Sequence, residues 1–194
     1  MTRTLTKTVA LVGMMGAGKS AVGNALAERL NVAFLDSDQE SEAASNQSFA
    51  EIFARYGERF FREIESQVIE RLLVGKPGIL STGGGAFLAK GNRKNMSELG
   101  VSLWLNAEPD VLWNRVKHKT TRPLLQTENP YTMSITFSST CDTLLSSTYQ
   151  HTVHWLPFII LFAVHLSYGF IMNPISVSVE EKSSYQRNAL SIMP

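Results

Sequence analysis

The sequence contains a single cysteine, Cys141, among 194 residues. One cysteine excludes an internal disulfide framework and is typical of a reducing compartment, so we expect a cytoplasmic protein. The formal net charge is only +1. A nucleic-acid-binding protein needs a clustered basic face, and this composition gives no reason to expect such a partner. No internal repeat is visible, and the length suits one domain with a core of its own.

Positive charge is missing from most of the C-terminal third, since no Lys or Arg occurs between Arg122 and Lys182. Within that stretch, residues 153–172 contain no Asp, Glu, Lys or Arg, and their length and polarity make them a candidate membrane segment. Two histidines and a proline lower its propensity to insert, so we expect no membrane attachment. Three interpretations stay open: a membrane segment, buried core structure, and a wrong reading frame or gene model, which we favour.

The most informative stretch for function is residues 13–20, GMMGAGKS, which fits the pattern G-x-x-x-x-G-K-[ST]. A β-branched apolar run at residues 8–12 precedes it and a helical pattern follows it, as a phosphate-binding loop requires. Its glycines let backbone N–H groups converge on an anion, and the helix adds its positive N-terminal dipole. Lys19 would contact the outer phosphates, and the Ser20 hydroxyl would bind Mg²⁺. The expected ligand is a nucleoside triphosphate.

Apolar runs alternate with helical patterns up to about residue 130, which predicts an α/β fold with a central parallel sheet flanked by helices. A capping-box pattern at Ser48 predicts a helix start, and Gly57 predicts a break before a long amphipathic helix. Ligands of parallel sheets gather at the carboxyl ends of the strands. The predicted strands are residues 8–12, 32–35, 79–82 and 101–105.

Asp36 and Asp38 directly follow the second predicted strand. Phosphoryl transfer to a hydroxyl needs a carboxylate near the attacking oxygen, and Asp38 is the candidate to bind the acceptor hydroxyl and take its proton. Asp36, two positions earlier and on the same strand face, is the candidate to hold the water shell of Mg²⁺. The alternative for this pair is a solvated loop start with an Asx turn.

Arg62 is the candidate for binding a substrate carboxylate, because a guanidinium fork makes two parallel hydrogen bonds that Lys cannot imitate. The alternative is a surface arginine paired with a neighbour on its helix, such as Glu65 or Ser66. The residues alone leave both open.

Three consecutive glycines, Gly83, Gly84 and Gly85, follow the third predicted strand. They would let a substrate lie flat against bare backbone, whose N–H groups would donate hydrogen bonds to it. The alternative is a flexible loop. Arg122, further along the chain, would close over the nucleotide as part of a lid and stabilise charge on the transferred phosphoryl group.

Five motifs, GMMGAGKS, FLDSD, GERFFREIE, STGGGA and RPLL, resemble the shikimate kinase family in their order and spacing over about residues 5–130. The resemblance implies a P-loop kinase fold and transfer of phosphate from ATP, with Mg²⁺, to the 3-hydroxyl of shikimate. It also implies a substrate-binding segment at about residues 37–66 and a lid that begins at about 118–130. We expect a monomer. The implied ATP contacts are Gly16, Ala17, Gly18, Lys19, Ser20, Ala21 and Arg122; the implied shikimate contacts are Asp38, Arg62 and Gly84, with Asp36 supporting the metal.

The tail, residues 131–194, departs from the family. The family has a second substrate arginine in a motif like R-x-P-L-Y, whereas no Arg occurs here between Arg122 and Arg187. Its last strand and helix are not recognisable, although residues 175–179 could mimic the strand. We interpret residues 1–130 as the kinase domain and expect ATP binding with weak or absent shikimate turnover. The alternatives are a gluconate kinase-like enzyme, and an ATP-binding relative that is catalytically impaired or membrane-tethered.

Overall fold

The computed structural model describes residues 5–118, residues 139, 140 and 143, and the backbone of Ser176–Glu180. Within these residues five strands form one sheet, and helices connect and cover them. The strands are β1 (Thr8–Val12), β2 (Phe34–Asp36), β3 (Ile79–Ser81), β4 (Gly100–Asn106) and β5 (Ser176–Glu180). The helices between Lys19 and Val116 are α1 (Lys19–Leu30), α2 (Ser37–Ser45), α3 (Phe49–Val74), a 3₁₀ turn (Ala86–Leu88), α4 (Lys90–Leu99) and α5 (Pro109–Val116).

The strand order is β2-β3-β1-β4-β5. The first four strands are parallel, and β5 pairs with β4 in the antiparallel direction. The parallel sheet with helical connections confirms the predicted fold class. The register of β5 sets Val177 beside Leu105 and Val179 beside Leu103, so part of the tail forms an edge strand of the sheet.

The centre of the core is β1, where Ala10, Leu11 and Val12 are fully buried. A continuous apolar run is what a central parallel strand needs, because helices cover both of its faces. Helix α1 packs closely on this sheet at Gly23, where a Cβ atom would lie 2.5 Å from a ring carbon of Phe34. The close packing holds the turn between β1 and α1 at the carboxyl end of the sheet.

Helix α3 begins and bends where the sequence predicts. The Ser48 hydroxyl accepts from the Glu51 backbone N–H, and the Glu51 carboxylate accepts from the Ser48 N–H at 2.8 Å, which is the capping box. Gly57 has a φ of 77° and a non-helical conformation, so it kinks the helix there. Glycine adopts this left-handed region without the penalty that a Cβ atom brings.

One prediction in this region is wrong: Asp36 and Asp38 do not share a strand face. Strand β2 ends at Asp36, and Asp38 lies in the first turn of α2. Asp36 Oδ1 accepts from the backbone N–H groups of Asp38 at 3.0 Å and Gln39 at 3.4 Å. A carboxylate at this position caps the free N–H groups that begin a helix, so α2 begins at Ser37 and the strand does not continue to Asp38.

In the part of the chain that the structure describes, no helix is long and apolar enough to cross a membrane. The candidate membrane segment at 153–172 lies outside those residues, as do Arg122 and all but the first residue of the predicted lid.

Candidate active site

The turn between β1 and α1 has the backbone that a phosphate-binding loop requires. Gly13, Gly16 and Gly18 have φ values of 138°, 84° and 93°. At Gly13 a Cβ atom would also collide with the Leu105 carbonyl, and at Gly16 it would lie 2.9 Å from Val116 Cγ1. Glycine is therefore required at both positions by conformation and by space.

Lys19 lies inside this loop and is only 8% exposed. Its ammonium group donates to the Gly13 carbonyl at 2.8 Å and to the Met14 carbonyl at 2.9 Å. Ser20 and Ala21 follow on the exposed side of the first turn of α1. A buried cation at the start of a helix is a suitable setting for the outer phosphates of a nucleotide.

The glycine run, Gly83–Gly85, packs directly on the phosphate loop. It follows β3, whose end is held beside β1 because both the N–H and the hydroxyl of Thr82 donate to the Leu11 carbonyl, at 3.2 and 2.9 Å. A Cβ atom at Gly84 would lie only 3.1 Å from the backbone nitrogen of Met15. A substrate on the glycine run would therefore lie next to the phosphate site.

The structure brings the predicted acceptor residues together around the glycine run. A Cβ atom at Gly83 would collide with Glu65 and would lie 2.7 Å from Asp38 Oδ1. At Gly85 it would lie 2.5 Å from Arg62 Nη2. All three side chains thus lie against bare backbone, in the space that the side chain of a larger residue would occupy.

This arrangement offers three kinds of group to a small ligand. Asp38 is a hydrogen-bond acceptor for a hydroxyl, and Arg62 is a cationic fork for a carboxylate. The backbone N–H groups of Gly84 and Gly85 donate to no other described residue, so they are free for ligand oxygens. A hydroxy acid has the matching chemistry.

The Arg62 side chain pairs with carboxylates on its own helix, as its alternative interpretation predicts, but it is largely buried and does not lie on the surface. Its Nη1 donates to Glu65 Oε2 at 2.9 Å, and its Nε and Nη2 donate to Glu58 Oε1 at 3.3 and 3.1 Å. Burial opposes the charge of the guanidinium, but the two carboxylates outweigh it and raise the pKa of Arg62. The ion pairs hold the guanidinium at the site and do not withdraw it to the surface.

Glu65 belongs to this site, and sequence reasoning did not predict it as a site residue. Its side chain is fully buried, and burial raises the pKa of the carboxyl against the opposing effect of Arg62, with the Asp38 charge adding to the rise. Its Oε1 has no hydrogen-bond partner among the described residues. The sequence did carry a signal: Glu65 shares a helix face with Phe61, Val68 and Ile69, where a carboxylate is out of place.

The structure holds a chemically suitable but sparse donor set for Mg²⁺. Ser20 supplies a hydroxyl in the phosphate loop, and Asp36 uses one carboxylate oxygen to cap α2, which leaves the other for a metal-bound water. No group of three or more His, Cys, Asp or Glu side chains suited to a metal occurs in the described residues. Such a set fits Mg²⁺, which keeps several waters and takes ligands from the phosphates of its substrate.

Comparison with known proteins decides the family, because residues 15–154 match the model of shikimate kinase. The chain belongs to the shikimate kinase family. The matched residues begin inside the phosphate loop and run past residue 130, into the part of the chain that lacks positive charge. The match bears out the sequence resemblance and does not favour the gluconate kinase-like alternative.

Curated shikimate kinases and solved structures agree with this assignment. The chain is 68% identical to the shikimate kinase of Cereibacter sphaeroides over 126 residues, which cover 65% of this chain and 63% of the relative. It is 67% identical to that of Ruegeria pomeroyi over 126 residues, with 65% of each covered. The chain therefore spans slightly less than two thirds of the length of these shikimate kinases.

Two solved structures of shikimate kinases have the same fold. The enzyme from Acinetobacter baumannii, solved in complex with shikimate, matches with a TM-score of 0.70 and 37% identity over 73% of this chain and 79% of its own. The enzyme from Bacteroides thetaiotaomicron matches with a TM-score of 0.62 and 30% identity, over 82% and 94% of the two chains.

Proposed function

We propose that this chain binds Mg·ATP in the loop at residues 13–20 and transfers the terminal phosphoryl group to the 3-hydroxyl of shikimate. The observation that supports it most directly is the meeting of Asp38, Arg62 and the glycine run beside the phosphate loop. A ligand with a carboxylate on Arg62 and a hydroxyl on Asp38 would have that hydroxyl near the phosphates. The complex of the Acinetobacter baumannii relative with shikimate supports the choice of acid.

Each residue has a distinct proposed role. Asp38 hydrogen-bonds the acceptor hydroxyl and takes its proton, while Arg62 and the free glycine N–H groups hold the rest of the substrate. Lys19 binds the outer phosphates and so moves away from the loop carbonyls that it now contacts. Ser20 and Asp36 would hold Mg²⁺, which neutralises phosphate charge when bound. Arg122, outside the described residues, is proposed as the lid arginine.

The missing second arginine is proposed to reduce turnover. Losing one charge-assisted contact to a carboxylate costs about 2–5 kcal/mol of binding. At about 1.4 kcal/mol for each factor of ten, substrate use falls by roughly tens- to thousands-fold. We therefore propose a cytoplasmic, monomeric protein that binds ATP well and uses shikimate poorly.

A coupled assay of ADP release from the full chain, with Mg·ATP and either shikimate or gluconate, tests the function. We expect activity with shikimate only, abolished by Lys19→Ala and retained in Lys90→Ala, which removes an exposed lysine from α4. Calorimetric titration with each ligand measures binding where turnover is too slow to detect. Activity on gluconate alone, or Mg·ATP affinity that survives Lys19→Ala undiminished, would refute the proposal.

A further inference from the structure

Ser37 connects the two halves of the acceptor site through one buried hydrogen bond. It lies between Asp36 and Asp38, its side chain is fully buried, and its Oγ accepts from the Gly83 backbone N–H at 2.9 Å. The two residues are 46 positions apart in the sequence. The hydroxyl therefore joins the start of α2 to the start of the glycine run.

This bond lies where the sheet can no longer hold the two segments together. The ladder between β2 and β3 ends at the pair Asp36 and Ser81. Beyond it the chain turns into α2 on one side and into glycines on the other, which have no side chains to pack. Beyond the ladder, the two segments are joined by the bond from the Gly83 N–H to the Ser37 hydroxyl. The hydroxyl oxygen accepts in place of the backbone carbonyl that a continuing strand would supply.

We propose that Ser37 is a positioning residue for the acceptor substrate. By holding the Gly83 N–H toward α2, Ser37 sets the direction of the glycine run. The next two N–H groups, of Gly84 and Gly85, donate to no other described residue. On the other side of the bond, Asp38 is the residue after Ser37, and its Oδ1 lies against Gly83. One hydroxyl thus sets the distance between the group that would take the proton and the groups that would bind the substrate oxygens.

A purely structural role for the bond is the competing explanation, and Thr82 argues against it. The end of β3 is already tied to β1 by two bonds from Thr82 to the Leu11 carbonyl. Removal of the Ser37 hydroxyl would therefore leave the strand in place and release mainly the glycine run. The effect should appear in shikimate affinity and not in Mg·ATP affinity.

The chain offers a matched control in Ser41, one turn further along α2. Its side chain is also fully buried, but its hydroxyl donates to the Ser37 backbone carbonyl at 2.7 Å and does not contact the glycine run. Ser37→Ala and Ser41→Ala therefore delete the same atom from the same helix, and only the first touches the proposed site.

The experiment measures Kd for shikimate and for Mg·ATP by calorimetry in the full chain and in both variants. The measurement of shikimate binding rests on the proposed function. We expect Ser37→Ala to raise the Kd for shikimate about tenfold, as for a lost buried hydrogen bond. Its Kd for Mg·ATP should stay within about twofold of the unmodified protein. For Ser41→Ala, the Kd of both ligands should stay within about twofold. A Kd for shikimate that changes equally in the two variants would overturn the assignment.

Amide hydrogen exchange at Gly83 separates this inference from the proposed function. If the unmodified chain does not bind shikimate, the proposed function fails, and exchange still tests whether Ser37 holds the glycine run. Faster exchange at Gly83 in Ser37→Ala than in Ser41→Ala supports that role. Equal exchange in the two variants overturns it.

Discussion

Arg62 Nη1 donates a 2.9 Å hydrogen bond to Glu65 Oε2, three residues further along α3 on the buried side of the helix. The Glu65 carboxylate is fully buried, whereas Glu58, the other partner of Arg62, is half exposed. The buried partner holds the guanidinium against Gly85 before any ligand arrives. An arginine held in this way loses little further side-chain entropy when it binds a carboxylate.

Arg62→Ala is expected to weaken shikimate binding by about 2–5 kcal/mol, the cost of one lost charge-assisted contact to a carboxylate. The control is Arg59→Ala on the same helix, since the Arg59 side chain is 93% exposed and pairs only with Glu63 among the described residues. We expect that variant to bind shikimate within about twofold of the unmodified protein. Calorimetric titration of both variants gives the comparison. An equal loss of shikimate affinity in the two variants would show that Arg62 does not bind the substrate.

Gly83→Ala is expected to abolish shikimate binding. A Cβ atom there collides with Glu65 and lies 2.7 Å from Asp38 Oδ1, so both carboxylates must move. Gly91→Ala is the control, because Gly91 lies in α4 and a Cβ atom there would have no described heavy atom within 4 Å apart from its chain neighbours and the backbone of its own helix. Alanine there should stabilise the fold by about 0.5–1 kcal/mol. Shikimate affinity and urea denaturation of the pair provide the test, and unchanged affinity in Gly83→Ala would contradict it.

The burial of Glu65 predicts a specific pH dependence of stability. Burial raises the pKa of Glu65 in the folded state above the ordinary value of 4.5, which applies to the unfolded state. At a pH between the unfolded-state pKa and the folded-state pKa, the folded protein therefore binds more protons than the unfolded protein. This group therefore stabilises the fold most at low pH, and its contribution falls as pH rises through that window.

Glu65→Gln removes that titration. The free energy of unfolding of the unmodified protein minus that of Glu65→Gln should decrease as pH rises from about 4.5 upward. Urea denaturation at a series of pH values measures this difference, with Glu63→Gln on the exposed side of α3 as the control. A difference that increases with pH would mean that the Arg62 charge outweighs burial at Glu65.

The tail is expected to limit catalysis. Replacing residues 131–194 with a shikimate kinase C-terminal segment that contains the motif R-x-P-L-Y should raise shikimate turnover by roughly tens- to thousands-fold, because that motif supplies the proposed second substrate arginine. Mg·ATP affinity should change little, since the phosphate loop is untouched. The coupled assay measures both proteins. Equal turnover would show that the defect does not lie in the tail.

The sequence of the gene and its transcript tests the origin of the tail. Its lack of Lys and Arg between Arg122 and Lys182 favours a frameshift or mis-assembled gene end. An uninterrupted reading frame with transcript support would contradict that hypothesis.

Local patterns were sufficient to predict the phosphate loop, the parallel sheet and the course of α3. Each depends on residues close together in the sequence: the glycine spacing at 13–20, the apolar run of β1, the Ser48–Glu51 capping box and the break at Gly57. Backbone conformation and helix capping are set over about one turn of chain, so short motifs carry them. Asp38 was misplaced because the cap at Asp36 begins α2 at Ser37, so the chain turns into a helix before it reaches Asp38.

The composition of the acceptor site depends on contacts between distant segments. Ser37 meets Gly83 across 46 positions, and Glu65 enters the site only because α3 packs its buried face toward the glycine run. Spacing along the chain left open whether Arg62 pairs on its helix or faces a substrate. In the folded chain Arg62 pairs with Glu65 and also lies against Gly85, where we propose that it binds the substrate. Folding brings these side chains within hydrogen-bond distance through the packing of α2 and α3 on the sheet, and no local pattern encodes that distance.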